Sequence, residues 1–235
     1  MRLDRFVAKA LGVSRKEARK LIRDGRVTID GKTVTDPSFS VKGGVVALDG
    51  KPLETPRKVY LALFKPAGYL STTERDGPYP SFLELLGESF RGRRLFAAGR
   101  LDAPSRGLLI VTDDGQLAHA VTHPKRKVEK EYLVKLDKPF KEELTALRAV
   151  EVEGKPVAVK EAELVDEDLL RLVLTEGRYR IIRRLMKALG YEVEDLLRVR
   201  VGPVRLEGLK EGTFRPLTEE ELELLKREAG IIKGA

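Results

Sequence analysis

The uncharged run Leu108-Leu109-Ile110-Val111-Thr112 lies between Ala103-Pro104-Ser105 upstream and Asp113-Asp114-Gly115 downstream. A continuous apolar run of strand length between turn formers fits a strand buried on both faces, which requires a sheet covered by further layers. The loop ahead of it sets one acid, Asp102, between Arg100 and Arg106. Strand ends favour sites because the sheet holds the loop still while its side chains stay accessible. Asp102 is therefore the candidate for chemistry; the alternative is a carboxylate that closes a turn on nearby backbone N–H groups.

The 235 residues are 42% hydrophobic, enough for one large core or two smaller ones. No apolar run reaches the ~18 residues of a membrane span, and Met1-Arg2-Leu3-Asp4-Arg5 has no apolar signal region, so a cytoplasmic chain without a membrane partner is expected. Cysteine is absent, which excludes disulfides, thiolate metal sites and a thiol nucleophile. His119 and His123 share a helical face, but beside Pro124 they read as capping or solvating a helix end, and no metal is expected. The net charge of +8 favours a polyanionic partner. Residues 1–58 hold fourteen Lys or Arg against seven Asp or Glu, so the rest of the chain is close to neutral. Asn is absent, Gln116 is the one Gln and 35% of residues are charged, a pattern expected of a thermophile.

Leu3 to Leu11 reads as a helix ended by Gly12, and Ser14-Arg15-Lys16-Glu17 is a capping box opening a second helix that turns Ala18, Leu21 and Ile22 inward. Its outer side carries Arg15, Arg19 and Arg23 at intervals of four, with Lys16 and Lys20 beside them. Such a ridge fits a phosphate backbone or, alternatively, a solvated face. Asp30-Gly31 and Asp49-Gly50 are hairpin signals. The polar stretch Glu54 to Lys58 reads as a linker, giving domains 1–56 and 57–235. In the second domain strands are expected at 59–64, 108–112, 131–136, 150–152, 157–159, 169–174, 192–201 and 204–206, and an exposed loop at 72–81. Helices are expected at 116–122, 141–149 and 181–189, with a last one from the Thr218 capping box to about Ala229. Ile181, Ile182, Leu185, Met186 and Leu189 have helical spacing and build a core face, which leaves Arg180, Arg183, Arg184 and Lys187 on the other arc. Cations in a first turn oppose the helix dipole. They are either surface arginines or groups retained for an ion pair or an RNA contact.

Lys65-Pro66-Ala67-Gly68, Gly99-Arg100-Leu101-Asp102, Gly107 to Gly115, Lys130-Glu131-Tyr132-Leu133-Val134 and Glu176-Gly177-Arg178-Tyr179-Arg180, in that order, resemble the RsuA-like family of ribosomal RNA pseudouridine synthases. Residues 1–50 resemble the RNA-binding module named after ribosomal small-subunit protein four. Met1 to Asp4, Asp113 to Gln116 and Phe214 to Glu221 are most similar to members acting on 16S rRNA. The resemblance implies an α+β fold, with a small N-terminal RNA-binding domain and a larger catalytic domain built on a mixed, mainly antiparallel sheet. It implies isomerisation of a uridine to pseudouridine in 16S rRNA, naked or in an assembling small subunit, by a monomer that needs no cofactor or metal. Asp102 matches the family nucleophile, Arg183 the basic residue paired with it, and Tyr132 the aromatic that stacks on the uracil. A buried Tyr with its hydroxyl at a sheet edge is the alternative for Tyr132. Arg100 resembles the arginine that props the gap left by the flipped nucleotide, and Arg180 and Arg184 join it as RNA contacts. Ser105 stands where the family usually has Thr, keeping the hydroxyl; Ile181 stands where many members have Gln, losing hydrogen bonding. The rival readings are the same reaction on 23S rRNA and a non-catalytic RNA-binding ribosome-assembly factor.

Overall fold

A computed structural model describes residues 1–232; residues 233–235, the end of the expected second domain, lie outside the described residues. The chain divides into two compact units, Met1–Arg57 and Lys58–Ala235.

In the first unit, α1 (Leu3–Leu11) and α2 (Arg15–Arg23) share a core with a sheet of order β2-β1-β3-β4. Its strands are β1 (Val27–Ile29), β2 (Lys32–Thr33), β3 (Val46–Leu48) and β4 (Lys51–Pro52). The Ser14 hydroxyl accepts from Glu17 N–H while the Glu17 carboxylate accepts from Ser14 N–H, closing the expected capping box. Both Asp-Gly pairs have positive φ at both residues, the backbone a two-residue hairpin loop demands.

The second unit comprises β5 (Tyr60–Lys65), β6 (Phe96–Ala98), β7 (Arg106–Thr112), α3 (Gly115–Thr122), β8 (Lys130–Leu136), α4 (Ala146–Ala149), β9 (Glu151–Val152), β10 (Lys155–Pro156), β11 (Val159–Asp166), β12 (Leu169–Leu174), α5 (Ile181–Ala188), β13 (Val193–Val201), β14 (Val204–Arg205), β15 (Phe214–Pro216) and α6 (Glu219–Glu228). Among the described residues nine of these strands form one sheet of order β11-β12-β8-β13-β7-β5-β15, with β14 on β13 and β6 on β7. Only β7 and β13 run parallel, so the sheet is mixed and mainly antiparallel, as expected. Central β7 is buried on both faces. Leu108 and Ile110 enter a core with Leu117, Val121 and Leu225, while Leu109 and Val111 enter another with Phe82 and Leu86.

Three expectations fail locally. The strand expected over 157–159 begins only at Val159 and continues to Asp166 as β11. The helix expected over 141–149 is the single turn of α4. Lys141 N–H donates to the Tyr191 hydroxyl, which itself donates to the Glu142 carboxylate, and these tertiary bonds hold the segment outside a helix. Arg180 does not lie in the first turn of α5; it precedes it with φ of 48°, in the left-handed region. Strand β6 and the 3-10 turn Phe82–Leu86 were not expected.

One edge of β7 belongs to β5 along most of its length. The other is shared: β13 pairs at Arg106 and Gly107, and β6 pairs at Ile110 to Thr112. The sheet forks there, and the chain crosses the fork as the loop 99–105. Gly107 sits where β7 meets β13, with φ of 115°. A Cβ there would lie 2.2 Å from the Arg198 carbonyl oxygen, so only glycine fits.

Candidate active site

The fork opens into a cavity of about 440 Å³, within the ~300–1,000 Å³ span of small-molecule sites. Asp102 lines it from the loop, Lys130 and Tyr132 from β8, Leu196 and Arg198 from β13, His119 from α3, and Arg180 and Ile181 from the start of α5.

The backbone of the Asp102 loop is held on both sides of the acid. Ser71 Oγ bonds both Leu101 N–H and Leu101 C=O, at 2.9 and 2.8 Å. The Ala103 carbonyl accepts from Gly68 N–H at 2.8 Å and from Lys65 Nζ at 3.2 Å. Lys65 is wholly buried and gives its other protons to the Pro66 and Tyr69 carbonyls. Burial lowers its ammonium to about 8, with attraction to Asp102 opposing and repulsion from Arg198 reinforcing that shift. Arg106 and Asp195 form a bidentate pair at 2.9 and 2.7 Å that locks the start of β7 to β13.

Arg183 reaches this loop from α5. Its Nε lies 3.3 Å from Asp102 Oδ2, and its Nη2 donates to Ser105 Oγ at 2.9 Å. Arg180 Nη1 lies 3.8 Å from the same carboxylate oxygen. The hydroxyl of Ser105 thus has a defined use, as an acceptor that fixes the guanidinium. Loop 175–180 is itself anchored. Arg178 pairs with Glu176 and donates to the Val152 and Pro156 carbonyls, tying the entry of α5 to β9 and β10.

The structure therefore brings Asp102, Arg183, Arg180 and Tyr132 together, with Arg100 exposed on the cavity wall. It does not bring Arg184 there: that side chain pairs with Glu153 at 3.1 Å. Tyr132 is 7% exposed, in a core that includes Leu101. Lys65, Ser71, Lys130 and Arg198 are site residues that the sequence reading left out. Lys130 donates to the Val121 carbonyl at 3.1 Å, and burial, then repulsion from Arg198, lowers it to about 8. His123 caps the turn Pro124–Arg126 through its Nδ1, and its ring meets His119 edge to face. Among the described residues no cluster of three His, Asp or Glu is placed to hold a metal ion. No described helix is long and apolar enough to cross a membrane.

In the first unit the basic ridge has a buried organiser. The Asp4 carboxylate, with no exposed surface, accepts from Arg2 and Arg19 at 3.1 Å and from Arg15 at 3.3 Å, while those three arginines stay about half exposed. Burial works against its charged form, but the three guanidiniums outweigh burial and hold it well below the usual carboxylate range. Lys16, Lys20 and Arg23 are exposed on the same helix.

The chain matches the family model described as RNA pseudouridylate synthase over residues 59–188, and the S4 domain over residues 1–56. It is 53% identical over 230 residues to an uncharacterized RNA pseudouridine synthase of Aquifex aeolicus, covering 97% of each chain. It is 40% identical over 231 residues to the ribosomal small subunit pseudouridine synthase A of Escherichia coli, covering 94% of this chain and 98% of that one. A crystal structure of a pseudouridylate synthase superposes with a TM-score of 0.66 at 35% identity, over 96% of this chain and 99% of the other.

Proposed function

The chain belongs to the RNA pseudouridylate synthase family, and from that premise we propose that it isomerises one uridine of 16S rRNA to pseudouridine during small-subunit assembly, with Asp102 as nucleophile. The observation that carries this reading is a carboxylate fixed on a cavity wall, with an arginine behind it and an aromatic ring beside it. The Escherichia coli relative, a small-subunit enzyme matched along almost the whole chain, supports the small-subunit RNA over the large.

In this reading the target uridine leaves its stack, and its base lies against Tyr132. The Asp102 carboxylate bonds to the nucleotide and the C1′–N1 bond breaks; the ring turns, C5 bonds to C1′, and the bond to Asp102 breaks again, which returns the free carboxylate. A proton leaves C5 and N1 takes one up, so no atoms are gained or lost. Arg183 orients the acid, Ser105 orients Arg183, and Lys65 with Ser71 holds the loop. Arg100 props the emptied position in the RNA and Arg180 steadies the incoming nucleotide. Domain 1–56 supplies affinity through Arg15, Lys16, Arg19, Lys20 and Arg23, whereas domain 57–235 supplies chemistry. The enzyme works as a cytoplasmic monomer of a thermophile, and its thermal midpoint is expected above the ~45–65 °C of mesophile domains.

Tritium release from RNA labelled at uridine C5 tests the activity, because only an isomerase expels that hydrogen. Carbodiimide mapping with primer extension on 16S and 23S rRNA, with and without the gene, tests the target. A new stop in 16S rRNA supports the proposal; a stop confined to 23S rRNA, or none, overturns it.

A further inference from the structure

Among the described residues one buried side-chain polar atom finds no hydrogen-bond partner, Nη2 of Arg198. The residue is 3% exposed, and its Nε donates to the Leu108 carbonyl at 2.8 Å. Leu108 lies in the fork of β7, past its last pair with β13 and ahead of its first pair with β6, so Arg198 caps a carbonyl that the sheet leaves open. The rest of the guanidinium lies under Gly99, whose added Cβ would sit about 4 Å from Nη1 and Nη2, and the residue lines the cavity. A guanidinium cannot shed its proton to escape burial. An unmatched charged donor is costly, and one beside a substrate cavity is explained by a partner that arrives with the substrate.

Position identifies the partner. Arg198 stands directly opposite Tyr132 in the antiparallel register of β13 and β8. Opposed residues share a face of the sheet with Cβ atoms about 4.5–5.5 Å apart. A base stacked on the ring of Tyr132 therefore presents its edge to the guanidinium. Lys130, two positions before Tyr132 on the same strand, adds a second buried cation. The cavity is lined by five Lys or Arg and one carboxylate, Asp102.

Resting on the function proposed above, we infer that Arg198 is a catalytic residue that holds the negative charge of the detached uracil by donating to a ring carbonyl oxygen. When C1′–N1 breaks, its electron pair stays on the ring and spreads over N1, O2 and O4; it is withdrawn when C5 bonds to C1′ and N1 gains a proton. A fixed cation at the ring edge binds this anion more tightly than the neutral uridine, and such a difference accelerates the reaction.

The test compares uridine with 5-fluorouridine at the target position, because fluorine stabilises negative charge on the ring. Single-turnover consumption of each nucleotide is measured for wild type, Arg198→Met and Arg198→Lys. Arg198→Met is expected to slow uridine consumption about 100-fold, with a several-fold smaller loss on 5-fluorouridine, while Arg198→Lys recovers part of the rate. The ratio of the two substrates is taken within one preparation, so a misfolded fraction cancels. Equal losses on both substrates, or a lysine variant no better than methionine, would overturn the inference and leave Arg198 as a tie between β13 and β7. A wild-type enzyme that consumes neither nucleotide would instead defeat the function on which the inference rests.

Discussion

Asp4 in the first unit and Asp102 in the second are each paired with more than one arginine, but the two arrangements are built the opposite way round. Asp4 is buried, and Arg2, Arg15 and Arg19 converge on it with about half of each side chain in water. Asp102 keeps 21% of its side chain exposed on a cavity, and the guanidinium behind it is only 14% exposed. In the function proposed here, the first acid arranges cations for RNA, and in the second a cation arranges an acid for the substrate. The same ion-pair chemistry yields a binding surface or a reactive group according to which member the core covers.

The largest expected effect breaks the geometry of the second arrangement at its base. Gly107→Ala drives a Cβ into the Arg198 backbone, and a loss of more than about 3 kcal/mol in denaturant unfolding is expected, with activity lost in the fraction that stays folded. Wild-type stability would show that β7 and β13 separate freely. Arg183→Met removes the partner of Asp102 and is expected to lower kcat about 10²- to 10³-fold with little change in RNA affinity, read by tritium release and filter binding. Asp4→Asn probes the other arrangement. With its charge gone the three arginines disperse, and affinity is expected to fall about three- to tenfold with a shallower salt dependence, while turnover at saturating RNA is unchanged. A fall in turnover alone would sever Asp4 from binding. A last effect, read as a pH dependence, concerns Lys65. The folded chain releases its proton near pH 8, whereas the unfolded chain holds it to about 10.5. Wild-type stability therefore rises across that window relative to Lys65→Met, which unfolding at pH 7.5 and 10 measures.

Local signals marked much of this in the sequence. The capping boxes at Ser14 and Thr218 form as expected, and the apolar run at Leu108 became the doubly covered strand. The residues around Asp102 were legible as a loop with one acid. Their partners were not, because Lys65, Ser71 and Arg183 meet the loop only through tertiary packing; Arg183 is 81 positions away, and only the family resemblance singled it out. Arg198 was hidden for a different reason. Leu197-Arg198-Val199-Arg200 reads as an alternating strand that would set both arginines on one face, but the register shifts between Arg198 and Arg200. That irregularity turns Arg198 into the fork and leaves Arg200 to pair with Glu129 and Glu131. Lys141 to Thr145 failed as a helix because Tyr191 claims the segment from a distant strand end.

The division of labour between the two acids is tested most directly by Asp102→Asn, assayed for tritium release and RNA affinity in parallel. Release is expected to disappear, at least about 10³-fold below wild type, while the dissociation constant stays within about tenfold. Continued release by the asparagine enzyme would show that the carboxylate on the cavity wall is not the group that performs the chemistry.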